Sequence, residues 1–174
     1  MLLLLSIPFA NQTKATSSDC KKTPPQSKGP FYKVPSKIFN NDMTNNGKAI
    51  GKKIKVYGKI LDNKCKPITN ASLDIWQANS FGKYNHKADL SRSRKDNDFF
   101  GYMRLLSNEK GEYNFNTILP GSYKVSKDLI RTPHIHFKVT SKQKQLTTQM
   151  YFKGNKMNKK AVSYTHLRAH ETSD

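Results

Sequence analysis

Acidic residues are scarce in this 174-residue chain: 12 Asp and Glu stand against 31 Lys and Arg, a formal charge of +19. A basic chain can bind nucleic acid or an anionic membrane surface. Arginine, the usual reader of bases, is also scarce, confined to Arg92, Arg94, Arg104, Arg131 and Arg168. Most of the charge is scattered lysine. No helix-turn-helix, zinc-finger or RNA-binding aromatic motif accompanies it, so no specific nucleic-acid readout is expected. Long apolar runs are lacking too. The opening "MLLLLSIPFANQTKA" is too short to span a bilayer, so no stable membrane insertion is expected. No window has a convincing helical period, which argues against a helical fold. The length suits one domain with a real core.

Residues 1–15 read as a short secretory signal, with Ala10 as a candidate cleavage point and a mis-assigned start codon as the alternative. Export, periplasmic or extracellular, would permit a disulfide between the only two cysteines, Cys20 and Cys65; two free thiols are the alternative. The far end, Val162–Thr172, resembles the translation of a sequencing-library adapter. Residues 161–174 are therefore set aside, His166 and His170 included.

Residues 16–50 are polar, broken by "TPPQSKGP" and "NNDMTNNGK", and read as an irregular arm. Strand signals follow. "KIKVYGKILD" alternates Ile54, Val56 and Ile60 with Lys55 and Lys59. "ASLDIWQA" puts Leu73 and Ile75 on one face and Asp74 and Trp76 on the other. "GEYNF", "SYKV", "HIHFKVT" and "LTTQMYF" continue the pattern between Gly/Pro turns. The expectation is an all-β antiparallel sandwich or barrel. Asn79–Arg104 breaks the rhythm as a long polar loop, and such loops in compact domains are often functional.

"RTPHIHFKV" holds the central question. On a strand, His134 and His136 share one face while Ile135, Phe137 and Val139 take the other. They read either as two ligands of one metal or as two solvated histidines. No carboxylate or cysteine lies at an obvious ligand spacing nearby, so zinc or Fe(II) chemistry finds no third protein ligand. Two tyrosines in turn-like settings remain, Tyr84 in "GKYNH" and Tyr123 in "PGSYKV". A phenol has a pKa near ~10 and binds a metal well only where a hard, highly charged cation stabilises the phenolate. Fe(III) is such an ion: two phenolates and a hydroxide balance its charge, and two neutral imidazoles complete the shell. Tyr57, Tyr102, Tyr113 and Tyr151 read as packing residues.

Together, "GPFY" (29–32), "DIWQANSFGKYNH" (74–86), "DNDFFGYMR" (96–104), "GEYNFNTILPGSY" (111–123), "RTPHIHFKV" (131–139) and "LTTQMYF" (146–152) resemble the intradiol ring-cleavage dioxygenases, of the protocatechuate 3,4-dioxygenase type. The resemblance covers about residues 25–153. It implies that residues 16–160 form a β-sandwich domain holding one mononuclear non-haem Fe(III). Tyr84, Tyr123, His134 and His136 would be the metal ligands, Tyr84 and His134 equatorial, Tyr123 and His136 axial. Arg131 and Gln149 would border the substrate, and Tyr123 would take part in catalysis by leaving the metal with a proton. The implied reaction joins a catechol, protocatechuate or catechol itself, to O2 and yields a muconate-type diacid. Many such enzymes pair subunits, so a homo- or hetero-oligomer is an open expectation.

The sequence departs from the family pattern in three places. The interval from Tyr123 to His134 is short, no aromatic residue follows Tyr123 closely, and the portion expected after "MYF" is missing or replaced. A rival reading, a metal-free transthyretin-like or carboxypeptidase-regulatory-like sandwich module, accounts for the strands and turns. It does not account for Tyr84, Tyr123, Arg131 and the His pair arriving together. A basic surface-binding protein, a third reading, rests on charge alone.

Overall fold

A computed structural model describes residues 20–35, 40–126, 129–142 and 144–160. The leader reading (residues 1–15) and the tail reading (residues 161–174) lie outside the described residues. Eight strands follow in chain order: β1 (Lys53–Lys59), β2 (Ser72–Trp76), β3 (Tyr102–Leu106), β4 (Glu112–Ile118), β5 (Tyr123–Lys124), β6 (Ile130–Arg131), β7 (His134–Ser141) and β8 (Lys144–Tyr151). A single 3-10 turn, Lys156–Lys160, ends the described chain. Among the described residues no helix is long and apolar enough to cross a membrane.

All strand pairings are antiparallel. One sheet has the order β3-β2-β7-β8, a second pairs β1 with β4, and β5 with β6 forms a small hairpin. The first two sheets pack face to face. Leu73, Ile75, Met103, Leu105, Ile135 and Phe137 from the larger meet Val56, Phe115 and Ile118 from the smaller. Phe137 lies against Phe115 and Tyr113 with ring centroids 6.2 and 6.1 Å apart. The period-two patterns dictate this, because each strand buries its alternate apolar residues between the sheets. The sandwich expected from the sequence is thus the observed architecture. Two strands went unforeseen: β3, whose first three residues fall inside the segment read as loop, and the two-residue β6.

The second face of the larger sheet carries the chemistry. Its register lines up Tyr102, Trp76, His136 and Gln149 in one row across four strands, with Arg104, Asp74 and Lys138 in the next row but one. This face is covered as well. Asp74 and Trp76 are 4% and 1% exposed. Asp74 accepts from Arg104 at 2.5 and 2.9 Å and from the Tyr32 hydroxyl at 2.8 Å.

The cover is the irregular arm. Its Gln26 N–H donates to the Thr147 carbonyl on the edge strand β8, at 2.8 Å, and Thr148 donates to the Pro24 carbonyl at 3.0 Å. An exposed strand edge is thereby paired. A Cys20–Cys65 disulfide fastens the arm to the turn after β1.

Candidate active site

Two loops and one strand converge over this covered face. The long loop reaches in through Asn79, whose side-chain oxygen accepts the N–H groups of Phe81 and Lys83, both at 2.9 Å, while its amide donates to the Arg94 carbonyl at 2.9 Å. Asp89 then accepts the Tyr84 N–H at 2.7 Å. Burial works against the charge on Asp89, but hydrogen bonds from Ser91, Tyr84 and Lys83 prevail and hold the carboxyl below its ordinary value. Glycines let this loop meet the one bearing Tyr123. Gly82 adopts φ +76°, and a Cβ there would lie 2.2 Å from the Ser122 carbonyl oxygen; a Cβ on Gly121 would lie 2.5 Å from the Ser80 oxygen. Tyr84, two residues past Gly82, and Tyr123, two past Gly121, are thus drawn together. Their rings stand perpendicular with centroids 5.4 Å apart.

Both imidazoles face these phenols. His134 and His136 are 2% and 3% exposed. The Nδ1–H of His134 donates to the Thr132 carbonyl at 2.7 Å, which leaves its Nε2 as an acceptor. That Nε2 lies 3.1 Å from His136 Nε2 and 3.4 Å from the Tyr84 hydroxyl. Burial keeps both rings neutral. It pushes His134 down to about 4, with Arg131 adding to the effect, and lowers His136 further, with His134 and Arg131 adding to it. Burial likewise raises both phenols. Tyr123 and its hydrogen bond raise Tyr84 further, whereas Arg131 and that same hydrogen bond oppose the rise at Tyr123.

The two Nε2 atoms face each other closely enough for one cation to be held by both. Two nitrogens bound side by side at about 2.1 Å from one ion lie about 3.0 Å apart, close to the separation seen. With Nε2 so engaged, a neutral His136 would carry its proton on Nδ1, a buried atom that has no hydrogen-bond partner among the described residues. Among the described residues no three His, Cys, Asp or Glu side chains converge. The available donor set is thus two imidazoles and two phenols, a set that suits a hard trivalent ion able to ionise the phenols.

A protein-family model for dioxygenases matches residues 27–169. The chain belongs to the intradiol ring-cleavage dioxygenase family. It is 37% identical over 125 residues to the protocatechuate 3,4-dioxygenase beta chain of Burkholderia cepacia, covering 67% of this chain and 53% of that protein. The dioxygenase domain of a dioxygenase–carbohydrate-binding fusion from Streptomyces sp. SirexAA-E superposes with a TM-score of 0.69 at 29% identity, covering 83% of each chain. An intradiol ring-cleavage dioxygenase from Tetranychus urticae superposes with a TM-score of 0.64 at 27% identity, covering 87% of this chain and 77% of that one. The chain spans about half the length of the curated relatives it matches. Family membership goes against the reading as a transthyretin-like or carboxypeptidase-regulatory-like binding module.

Six residues were singled out from the sequence of this dioxygenase-family chain. Tyr84, Tyr123, His134 and His136 come together as described. Arg131 pairs with Tyr123 across the β5–β6 hairpin. It donates to Gln149 Oε1 at 2.6 Å, so it too borders the group, as does Gln149, the cross-strand neighbour of His136. Among the described residues Arg131 makes no ion pair.

The walls were largely missed. Trp76 stacks on His136 (4.6 Å, 5°), and Phe31 of the arm stacks on Tyr84 (4.5 Å, 28°). Tyr151, read with the packing tyrosines, instead reaches this site; alternation from Gln149 was the signal for it. A separate cavity of about 440 Å³ opens along the long loop, and of the four converging donors only Tyr84 borders it.

Proposed function

We propose that this chain is a non-haem Fe(III)-dependent intradiol dioxygenase, with Tyr84, Tyr123, His134 and His136 holding one iron. Its substrate is a catechol-type ring, protocatechuate or catechol. The bond between the two hydroxyl-bearing carbons breaks, each of those carbons gains one atom of O2, and the product is a muconate-type diacid. The observation that carries this reading is the convergence of two buried, neutral imidazoles with two phenols, where no three His, Cys, Asp or Glu side chains cluster among the described residues. Fe(III), when bound, supplies Lewis acidity toward the catechol oxygens and draws electron density from the ring.

The chain's own residues do the rest. Tyr84, 2% exposed and stacked under Phe31, stays in place. Tyr123 is only partly buried and sits against Arg131, so its Oη can swing away and accept a catechol proton. The Arg131 guanidinium stabilises the anionic ring and product. Trp76, Phe31 and the arm keep bulk water off the metal face. The Cys20–Cys65 disulfide supports an exported protein, since such bonds persist in oxidising compartments.

The test is a visible absorption spectrum of the full chain loaded with Fe(III), before and after a catechol is added under argon. A red-brown phenolate-to-iron band that shifts on catechol addition is expected. A folded chain that stays colourless and takes up no iron overturns the proposal.

A further inference from the structure

Among the described residues no carboxylate aims Arg131. Arg131 donates through Nη2 to Gln149 Oε1 at 2.6 Å and to the Tyr151 hydroxyl oxygen at 3.3 Å. The Tyr151 hydroxyl in turn donates to Gln149 Oε1 at 2.8 Å, closing a triangle. Gln149 cannot turn over, because its Nε2 donates to the Ser27 carbonyl at 2.8 Å and its oxygen accepts two bonds. Tyr151 is 1% exposed, and its oxygen also lies 3.3 Å from Gln26 Oε1 on the arm.

The register places this pair with care. Gln149 lies opposite His136 and Tyr151 opposite His134, so Gln-x-Tyr on β8 faces His-x-His on β7. The Tyr151 and His134 rings lie 5.8 Å apart. Among the described residues, the acceptors bonded to the guanidinium, Gln149 and Tyr151, are neutral. A carboxylate in the same place would fix Arg131 more firmly but would cancel the charge on which its role depends.

We infer that Tyr151 is a positioning residue: its hydroxyl, with Gln149, aims the Arg131 guanidinium at the substrate while leaving its charge unspent. The inference rests on the dioxygenase reading above, and wild-type turnover measured alongside tests that reading separately. The experiment compares iron-loaded wild type with Y151F, R131K, the double variant and Q149E. Y151F keeps the ring, so its iron band and melting temperature should match wild type. Its kcat should fall about fivefold, the share of one neutral hydrogen bond, with KM little changed. On the R131K background Y151F should have no further effect, because Tyr151 acts through Arg131. Q149E should keep the iron band yet lose turnover, its new carboxylate pairing with Arg131. Unchanged kcat in Y151F, the same fivefold loss on top of R131K, a lost iron band in Y151F, or full activity in Q149E would each overturn the inference.

Discussion

Removal of the Cys20–Cys65 disulfide should weaken both the fold and the site. The bond joins residues 45 apart in sequence. In the chain-entropy account, closing a loop of that length removes about 13 cal/mol/K from the unfolded chain, or about 4 kcal/mol at 25 °C. For a chain of this size each kcal/mol moves the melting temperature by about 2–4 °C, so the C20S/C65S variant should melt roughly 8–16 °C below wild type.

The site enters because the tethered arm does not merely hang from the sheet. Six to eleven positions past Cys20, it supplies the Gln26 and Ser27 partners of Tyr151 and Gln149 and the Phe31 ring on Tyr84. Without the tether, the arm keeps its hydrogen bonds to β8, the Tyr32–Asp74 bond and the Phe31 stack, but loses the anchor at its start. Turnover of the variant should therefore decline on warming before far-ultraviolet circular dichroism reports global unfolding, whereas in wild type the two should fall together. A melting temperature within about 2 °C of wild type would refute the entropy argument at this loop length. A large drop in melting temperature with coincident loss of activity and dichroism would refute the coupling of arm to site.

Two further predictions address the loops. Gly82→Ala places a methyl 2.2 Å from the Ser122 carbonyl on a left-handed backbone, which should cost about 2–4 kcal/mol and reduce iron uptake more than it changes circular dichroism; full iron uptake would sink the loop-docking account. Asp89 has a lowered carboxyl pKa, so it contributes stability that is present above the ordinary carboxylate value near ~3.9 and is lost as pH falls through its lower folded value. Asp89→Asn should accordingly be less stable than wild type in urea at neutral pH, with the gap narrowing below about pH 4; a gap independent of pH would contradict the assignment.

Much of the site was legible because strands expose their logic in short windows. His134 and His136 alternate with Ile135 and Phe137, so the strand that seats the imidazoles also declares which face is core. Tyr84 and Tyr123 were legible as chemistry from charge balance, and their approach was foreshadowed by the glycine two residues before each. The covers were not legible. Phe31 and Gln26 act on residues more than 50 and 120 positions away, and nothing local in an arm rich in Pro and Lys marks which sheet edge it will pair. Asp74 and Trp76 read as the outward face of their strand, and so they are with respect to the sandwich core. Only the arm and the loops, folded back over that face, bury them. Strand β3 was missed because its "YMRLL" takes its partner, β2, from across the long loop.

The most direct test of the central claim is the reaction carried out under labelled oxygen. The iron-loaded full chain would be given protocatechuate, or catechol, and ¹⁸O2, and the product analysed by mass spectrometry. The account predicts a muconate-type diacid carrying both labelled atoms, one in each new carboxyl group. An iron-loaded chain that binds catechol yet consumes no O2, or a product cleaved outside the two hydroxyl-bearing carbons, would contradict it.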